Sequence, residues 1–298
     1  MNVLDLLTAR LFDYAGMFPP ENLSFKEAVA EAARAGRLHR PAILGNDMVV
    51  ASQDLRLITE KSLAAAGFED TLCSVCLVGV PAENLKRTVP RVQAFNEKNS
   101  GHAHIASLEV DGARIDAKSL QAAREQLADV RLYVEPHLAD RSWPTSGAGL
   151  VDLLARLAHV GDPVGLKVRG SGPRAISART LAWLIPLCIE KGIGLKVTAG
   201  MHHPLVEAEY GNGIGFLGAA TALRLRQCLG PDFPNEAILA CVQETRADAF
   251  NFEGELAWRG HAVSIEAVAK AMDELPFSIG SCSLQEPDRD LLRLFGQP

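Results

Sequence analysis

The stretch Val164-Gly165-Leu166-Lys167-Val168-Arg169 is a short run with Gly, Lys and Arg at alternate places, and residues 178–191 after it carry a helical pattern. Ile193-Gly194-Leu195-Lys196-Val197-Thr198-Ala199 then repeats the run, so that Gly-Leu-Lys-Val occurs twice, at 165–168 and 194–197. Run, helix, run is the pattern of a parallel βαβ unit. Working outward, the same alternation recurs along the chain. Apolar runs fall at 11–15, 42–50, 72–80, 104–110, 130–135, 164–169, 193–199 and 276–281. Helical stretches fall between them, at 25–35, 55–66, 82–97, 117–127, 149–159 and 178–191. Eight strands alternating with helices predict one α/β domain over 1–298, a closed (β/α)₈ barrel of the TIM type. A doubly wound open sheet is the rival. Its Gly-rich nucleotide turn would follow the first strand, where the chain instead reads Tyr14-Ala15-Gly16-Met17-Phe18-Pro19-Pro20.

The connection between the seventh and eighth strands is enlarged, with an insertion at about 201–263. It should hold helices at 216–229 and 235–245 and a small hairpin within 250–258 turning at Glu253-Gly254. A helix at 265–274 should lead into the last strand. The insertion reads equally as decoration or an oligomer surface and as a lid, with the glycines of 211–215 as a hinge or simply a flexible turn. Ser24 and Glu27 have capping-box spacing. Gly36, Gly67, Gly161 and Gly192 stand where helices should stop.

With 48% hydrophobic and 22% charged residues the chain is neither disordered nor fibrous. Its formal charge of −6 gives no clustered basic face for nucleic acid or an anionic membrane. No stretch has the roughly 18 uncharged apolar residues of a membrane span. The first eleven residues, with Asp5 and Arg10 among leucines, do not resemble a secretory signal. Of six cysteines only Cys73 and Cys76 are close, and a strand puts them on opposite faces, a poor metal clamp. Reduced thiols in a cytoplasmic protein are expected.

Alternation also aims the two lysines. Leu166 and Val168 share one face of the sixth strand, and Leu195, Val197 and Ala199 one face of the seventh; these should meet the outer helices. Lys167 and Lys196 then point into the barrel from neighbouring strands. Burial and a like charge both disfavour an ammonium, so one lysine should have a depressed pKa and serve as a nucleophile toward a carbonyl. The plainer expectation is that both are ion-paired with inward carboxylates, Glu109 and Glu135 being candidates.

These paired strands, Gly165 to Gly170 and Gly194 to Gly200, resemble the sixth and seventh strands of class I aldolase barrels, deoxyribose-phosphate aldolase among them. The resemblance implies a Schiff base on Lys167 with Lys196 lowering its pKa. The segment after Lys167 is Val-Arg-Gly-Ser-Gly, not the Thr/Ser-rich stretch of that family. Lys196 to Pro204 and Phe277 to Ser283 also resemble an uncharacterised group of bacterial barrel proteins, which implies a fold and no activity.

Further candidates gather at the carboxyl ends of the strands, where active sites of this fold lie. His202 and His203 follow the seventh strand and suit proton transfer, with one of them expected in the site. Glu135 and His137 share one side of the fifth strand. Arg169, two residues beyond Lys167, suits a carboxylate or phosphate. Gly170-Ser171-Gly172, Gly200 and Gly280-Ser281-Cys282-Ser283 could supply amides to an anion. Asp13 is an inward partner for a lysine. Cys282 reads as a small packing residue more readily than a nucleophile, and Trp143, Trp183 and Trp258 read as packing. His102 and His104 have ligand spacing but stand at the opposite end of the barrel.

The leading expectation is a carbon–carbon lyase acting on a small oxygenated, anionic metabolite without a cofactor. Lys167 is the nucleophile, Lys196 its modulator, His202 or His203 and Glu135 move protons, and Arg169, Gly200, Gly280, Ser281, Cys282 and Asp13 line the substrate. One alternative is a lyase, isomerase or hydrolase with a divalent metal on Glu109, Glu135, His137 and His202. Another is a non-catalytic ligand-binding barrel. The implied partner is a small molecule, with neither nucleic acid nor membrane, and self-association is left open.

Overall fold

The computed structural model describes residues 2–9, 11–35, 47–68, 72–112, 116–158, 164–208 and 213–296. A short helix α1 (Val3–Thr8), capped by the Asn2 side chain, precedes the first strand β1 (Phe12–Tyr14). Helices and strands then alternate: α2 (Phe25–Ala35), β2 (Met48–Ala51), α3 (Glu60–Ala64), β3 (Cys73–Pro81), α4 (Leu85–Lys98) and β4 (Ala103–Gly112). They continue with α5 (Ala117–Gln126), β5 (Arg131–Pro136), α6 (Ala148–Leu157), β6 (Val164–Arg169), α7 (Ala178–Lys191) and β7 (Gly194–Thr198). The enlarged connection carries α8 (Phe216–Leu229), α9 (Asn235–Val242), β8 (Phe250–Asn251), β9 (Glu255–Trp258), β10 (His261–Ser264) and α10 (Ile265–Glu274). The eighth barrel strand is β11 (Phe277–Ser281), followed by α11 (Gln285–Phe295).

All eight barrel strands pair in parallel and close in the order β1-β11-β7-β6-β5-β4-β3-β2. The single (β/α)₈ barrel is therefore the fold of the chain. Its outer seam is the expected one, with Val50, Val75, Leu166 and Val197 of the strands fully buried in one continuous apolar core with the surrounding helices. The Ser24–Glu27 box forms, Ser24 N–H donating to Glu27 at 2.9 Å and Glu27 N–H to Ser24 Oγ at 3.3 Å. Gly192 closes α7 in the left-handed conformation.

Three local expectations need correction. The helix read at 55–66 is a 3-10 turn at Ser52–Leu57 and the short α3. Thr59 is extended and forms its own capping box with Ser62, so the chain restarts there. The hairpin within 250–258 has a third strand, β10, joined to β9 through Arg259 and Gly260, both at positive φ, as a type I′ turn needs. α1 and α11 lie outside the elements read from the sequence. The strand expected at 42–50 is described from residue 47 onward. Gly36, Gly161 and the first part of the 211–215 hinge lie outside the described residues.

The described part of the insertion is packed against the barrel. α8 is buried along Phe216–Leu225. Phe216 meets Phe12 of β1 edge-on at 5.1 Å, a contact type worth about 0.5–1.5 kcal/mol beyond its area. Arg224 is buried and donates to the carbonyls of Ala271 and Leu275, which ties α8 to the end of α10. Glu244 accepts from Trp258 Nε1 at 2.9 Å and Arg259 Nε at 2.8 Å, which anchors the three-stranded sheet. Among the described residues no helix is long and apolar enough to cross a membrane.

Candidate active site

Strand alternation aims both lysines inward, and their contacts prove it. Lys167 and Lys196 stand in register on β6 and β7. Lys196 Nζ reaches Asp13 of β1 at 2.5 Å and Glu109 Oε1 of β4 at 2.8 Å, spanning the lumen. Lys167 Nζ pairs with Glu109 Oε2 and, at 2.8 Å, with Glu135 of β5. Arg169 closes on Glu135 with both its Nε, at 2.5 Å, and an Nη, at 3.1 Å. Arg174, in the loop after β6, adds a contact to Glu135 at 3.1 Å and one to Asp111 at 3.5 Å. His137 pairs with Asp111. The lumen thus holds a ladder of alternating charge, Asp13, Lys196, Glu109, Lys167, Glu135, then Arg169 and Arg174.

The ladder rises from dry to wet. The Lys196 side chain is 0% exposed and that of Lys167 8%, while Arg169 and Arg174 show 34% and 30%. Below it, Tyr133 fills the space left by Gly165, where a Cβ would stand 2.5 Å from its ring, and Lys196 Nζ lies 5.3 Å from the ring centroid. Asp47 accepts from Ser74 and Ser107, each at 2.5 Å, on the floor side of the same lumen.

The expectation of a depressed lysine pKa is overturned. Burial pulls Lys167 down, but Glu109 and Glu135 outweigh it and leave the ammonium above its ordinary range. Lys196 is likewise lowered by burial and raised well beyond that by Asp13, Cys76 and Glu109. The physical reason is interleaving: Glu109 sits between the two amines, so neither meets the other's charge bare. Burial works against Glu109 too, yet its two lysines bring it to about 2. Glu135 falls below the carboxylate range because Lys167 and Arg169 overcome its burial. Asp13 goes the other way, raised by burial more than Lys196 lowers it. The plainer expectation, ion pairing with Glu109 and Glu135, is what the geometry shows.

The adjacent histidines part company. His202 Nδ1 lies 3.2 Å from Ser281 Oγ at the end of β11, and burial lowers its pKa. His203 Nδ1 lies 2.7 Å from the buried Asp290 of α11. His202 therefore faces the barrel mouth and His203 holds the C-terminal helix. Ser281 Oγ donates to the Ser283 carbonyl at 2.6 Å, so Ser281, a histidine and an aspartate do not form one relay.

The glycines expected beside an anion stand where strands and loops crowd one another. Gly170 and Gly200 let the loops after β6 and β7 interlock: a Cβ on Gly170 would stand 2.5 Å from the Ala199 carbonyl, and one on Gly200 2.8 Å from Ser171. Gly280 makes room for Thr198, whose methyl would lie 2.8 Å from an added Cβ. Cys282 is buried, and burial raises its thiol above the ordinary range. The alternative metal set is not brought together. Glu109 and Glu135 are taken by cations, His137 by Asp111 and His202 by Ser281. Among the described residues no group of three His, Cys, Asp or Glu side chains is arranged to hold a metal ion. His102 stands outside this site, 3.5 Å from exposed Glu60.

Asp111, Arg174 and Asp290 belong to the mouth and were missed in the sequence. Asp111 had a legible signal, two places beyond Glu109 on one strand face. Arg174 lies in a loop, and Asp290 in a helix beyond the last strand. No family model matches the chain, and no curated protein matches it.

Proposed function

We propose that the barrel is an enzyme acting on a small oxygenated anion, breaking or making a carbon–carbon bond beside a carbonyl with Lys167 as the contact residue. One observation carries the reading: Lys167 is the amine at the wet end of the ladder, with two carboxylates in bonding contact with its Nζ. A carbonyl compound entering from the mouth meets Lys167 before Lys196. Glu135 or Glu109 accepts one proton from the ammonium, and the freed amine adds to the carbonyl carbon. A second proton passes from the attacking nitrogen to the former carbonyl oxygen as the carbinolamine forms; the carboxylic acid then returns the first proton to that hydroxyl, which leaves as water, and the iminium serves as the electron sink. Lys196 holds Glu109 ionised, which leaves Glu135 the more basic acceptor of the Lys167 proton. Arg169 and Arg174 hold the anionic end, and His202, uncharged near neutral pH, exchanges protons with the reacting carbon. The aldolase resemblance of β6 and β7 agrees with this assignment. The six free cysteines agree with a reducing compartment.

A second reading is favoured by the raised pKa of Lys167. The ammonium stays charged and stabilises an enolate oxygen without a bond to carbon. Borohydride added with candidate aldehydes and ketones, followed by peptide mass spectrometry, separates the two. An adduct on Lys167 supports the imine. Turnover with no adduct on either lysine rejects it in favour of the electrostatic role.

A further inference from the structure

Among the described residues the lumen has one apolar wall. Val49 of β2, Cys76 and Val78 of β3 form a cluster separate from the main core, with Ala15 and Phe18 packed against it. It faces inward. Cys76 Sγ lies 3.3 Å from Lys196 Nζ and 3.4 Å from Glu109, Val49 is in register with Cys76, and Val78 follows Cys76 on the same strand face. Solvent reaches this wall. Val49 and Val78 keep 7% and 9% of their surface, whereas their outward neighbours Val50 and Leu77 keep 0% and 1%. The strand order sets β2 across the barrel from β6, and β3 across from β7. The apolar wall therefore looks across the lumen at Lys167 and Arg169.

Lys167 and Arg169 also share one carboxylate, that of Glu135. The ammonium reaches one oxygen of that carboxylate at 2.8 Å and the guanidinium reaches both, at 2.5 and 3.1 Å, so the two cations stand side by side along it. A ligand satisfying both carries its anion directly beside its carbonyl. Arg174 adds a buried Nη1 without a hydrogen-bond partner on the same side. Opposite, Val49, Val78 and Phe18 offer no hydrogen-bonding side chain to a hydroxylated chain, and polar groups buried without partners cost about 1–3 kcal/mol each.

We infer that the mouth selects 2-oxo acids bearing a short hydrocarbon chain, not polyhydroxylated sugar phosphates, the carboxylate and carbonyl lying on Arg169 and Lys167 and the chain on Val49, Val78 and Phe18. The inference rests on the reading of Lys167 as the carbonyl contact and names the substrate class of that site. It departs from what the aldolase resemblance alone would imply, because that family member acts on a sugar phosphate.

The test is titration calorimetry on the full chain with two sets of probes. One is the straight-chain 2-oxo acids from pyruvate to 2-oxohexanoate. The other is glyceraldehyde 3-phosphate and deoxyribose 5-phosphate. Affinity should rise about fourfold for each added methylene, the equivalent of about 0.8 kcal/mol. Val49→Thr and Val78→Thr, each checked for an unchanged circular dichroism spectrum, should flatten that slope. Arg174→Gln should weaken every 2-oxo acid by a similar factor, about tenfold. A flat slope, tighter binding of the sugar phosphates, slopes unaltered in both threonine variants, or binding by neither set overturns the inference. Borohydride trapping in the same samples reports on the lyase reading separately. A rising slope without an adduct keeps the substrate class and sinks the imine; an adduct with a flat slope does the reverse.

Discussion

Glu109 decides the state of both lysines, and its own pKa makes that visible in stability. Its carboxyl titrates near 4.5 when free of its partners and at about 2 in the fold. A lowered carboxylate contributes stability above its unfolded pKa and loses it as pH falls through the folded one. The acid limb should therefore fall between about pH 4.5 and pH 2. Lys167 and Lys196, raised in the fold, contribute below their unfolded pKa of about 10.5 and lose it above. Asp13, raised by burial, opposes Glu109 at the acid end. The clean measurement is thus the difference between wild type and Glu109→Gln in urea melts across pH; that difference should narrow as pH falls from about 4.5 toward 2, while Glu135 keeps its own acid slope in the variant. Lys167→Met tests the same ladder from the other side. It leaves Glu109 and Glu135 without one cation each, and breaking a buried pair costs about 3–5 kcal/mol. Denaturant melts near neutral pH should show a loss of that size along with loss of turnover. A neutral or stabilising result would mean the ladder is relieved by water.

At the scale of elements, the paired strands β6 and β7 owe their lysines' positions to glycines. Gly165 leaves space for the Tyr133 ring, and Tyr133 sits beneath Lys196. Gly165→Ala would put a methyl 2.5 Å from that ring and 3.0 Å from the Gly194 carbonyl. Overpacking of this kind costs typically 1–3 kcal/mol, and Lys196 Nζ lies 5.3 Å from the centroid of the ring that would be pushed. Thermal melts should show a drop of that order. A crystal structure of the variant should show Tyr133 and Lys196 displaced together; an undisturbed pair would mean the strands slide instead. The alternation that aims Lys167 inward was readable because a strand has a period of two. The companion carboxylates were readable only as candidates. Glu109 and Glu135 share the inward face of β4 and β5, but which amine each one meets depends on register across strands far apart in the chain.

Over the whole molecule, α11 returns the end of the chain to the mouth. Its buried Asp290 takes His203, next to the His202 that faces Ser281. The last helix and the loop after β7 are thereby one mechanical unit. Asp290→Asn weakens the charge-assisted bond. Hydrogen exchange should then quicken in 285–295 and in 201–204 together, while the β3–β6 strands stay protected. Quickening confined to α11 would show that the loop is held by other contacts.

Residue spacing alone determined the barrel, the inward face of each central strand and the cation at the mouth, because helix and strand periods are local properties of the backbone. It also located the enlarged connection before the last strand. Only the tertiary structure decided that the two amines are separated by a carboxylate, that several mouth glycines stand where a side chain would clash, and that the histidines serve different ends. Those outcomes depend on distances across the lumen between β1, β4 and β7, and Coulomb interactions across such distances carry no signature in the order of residues along the chain.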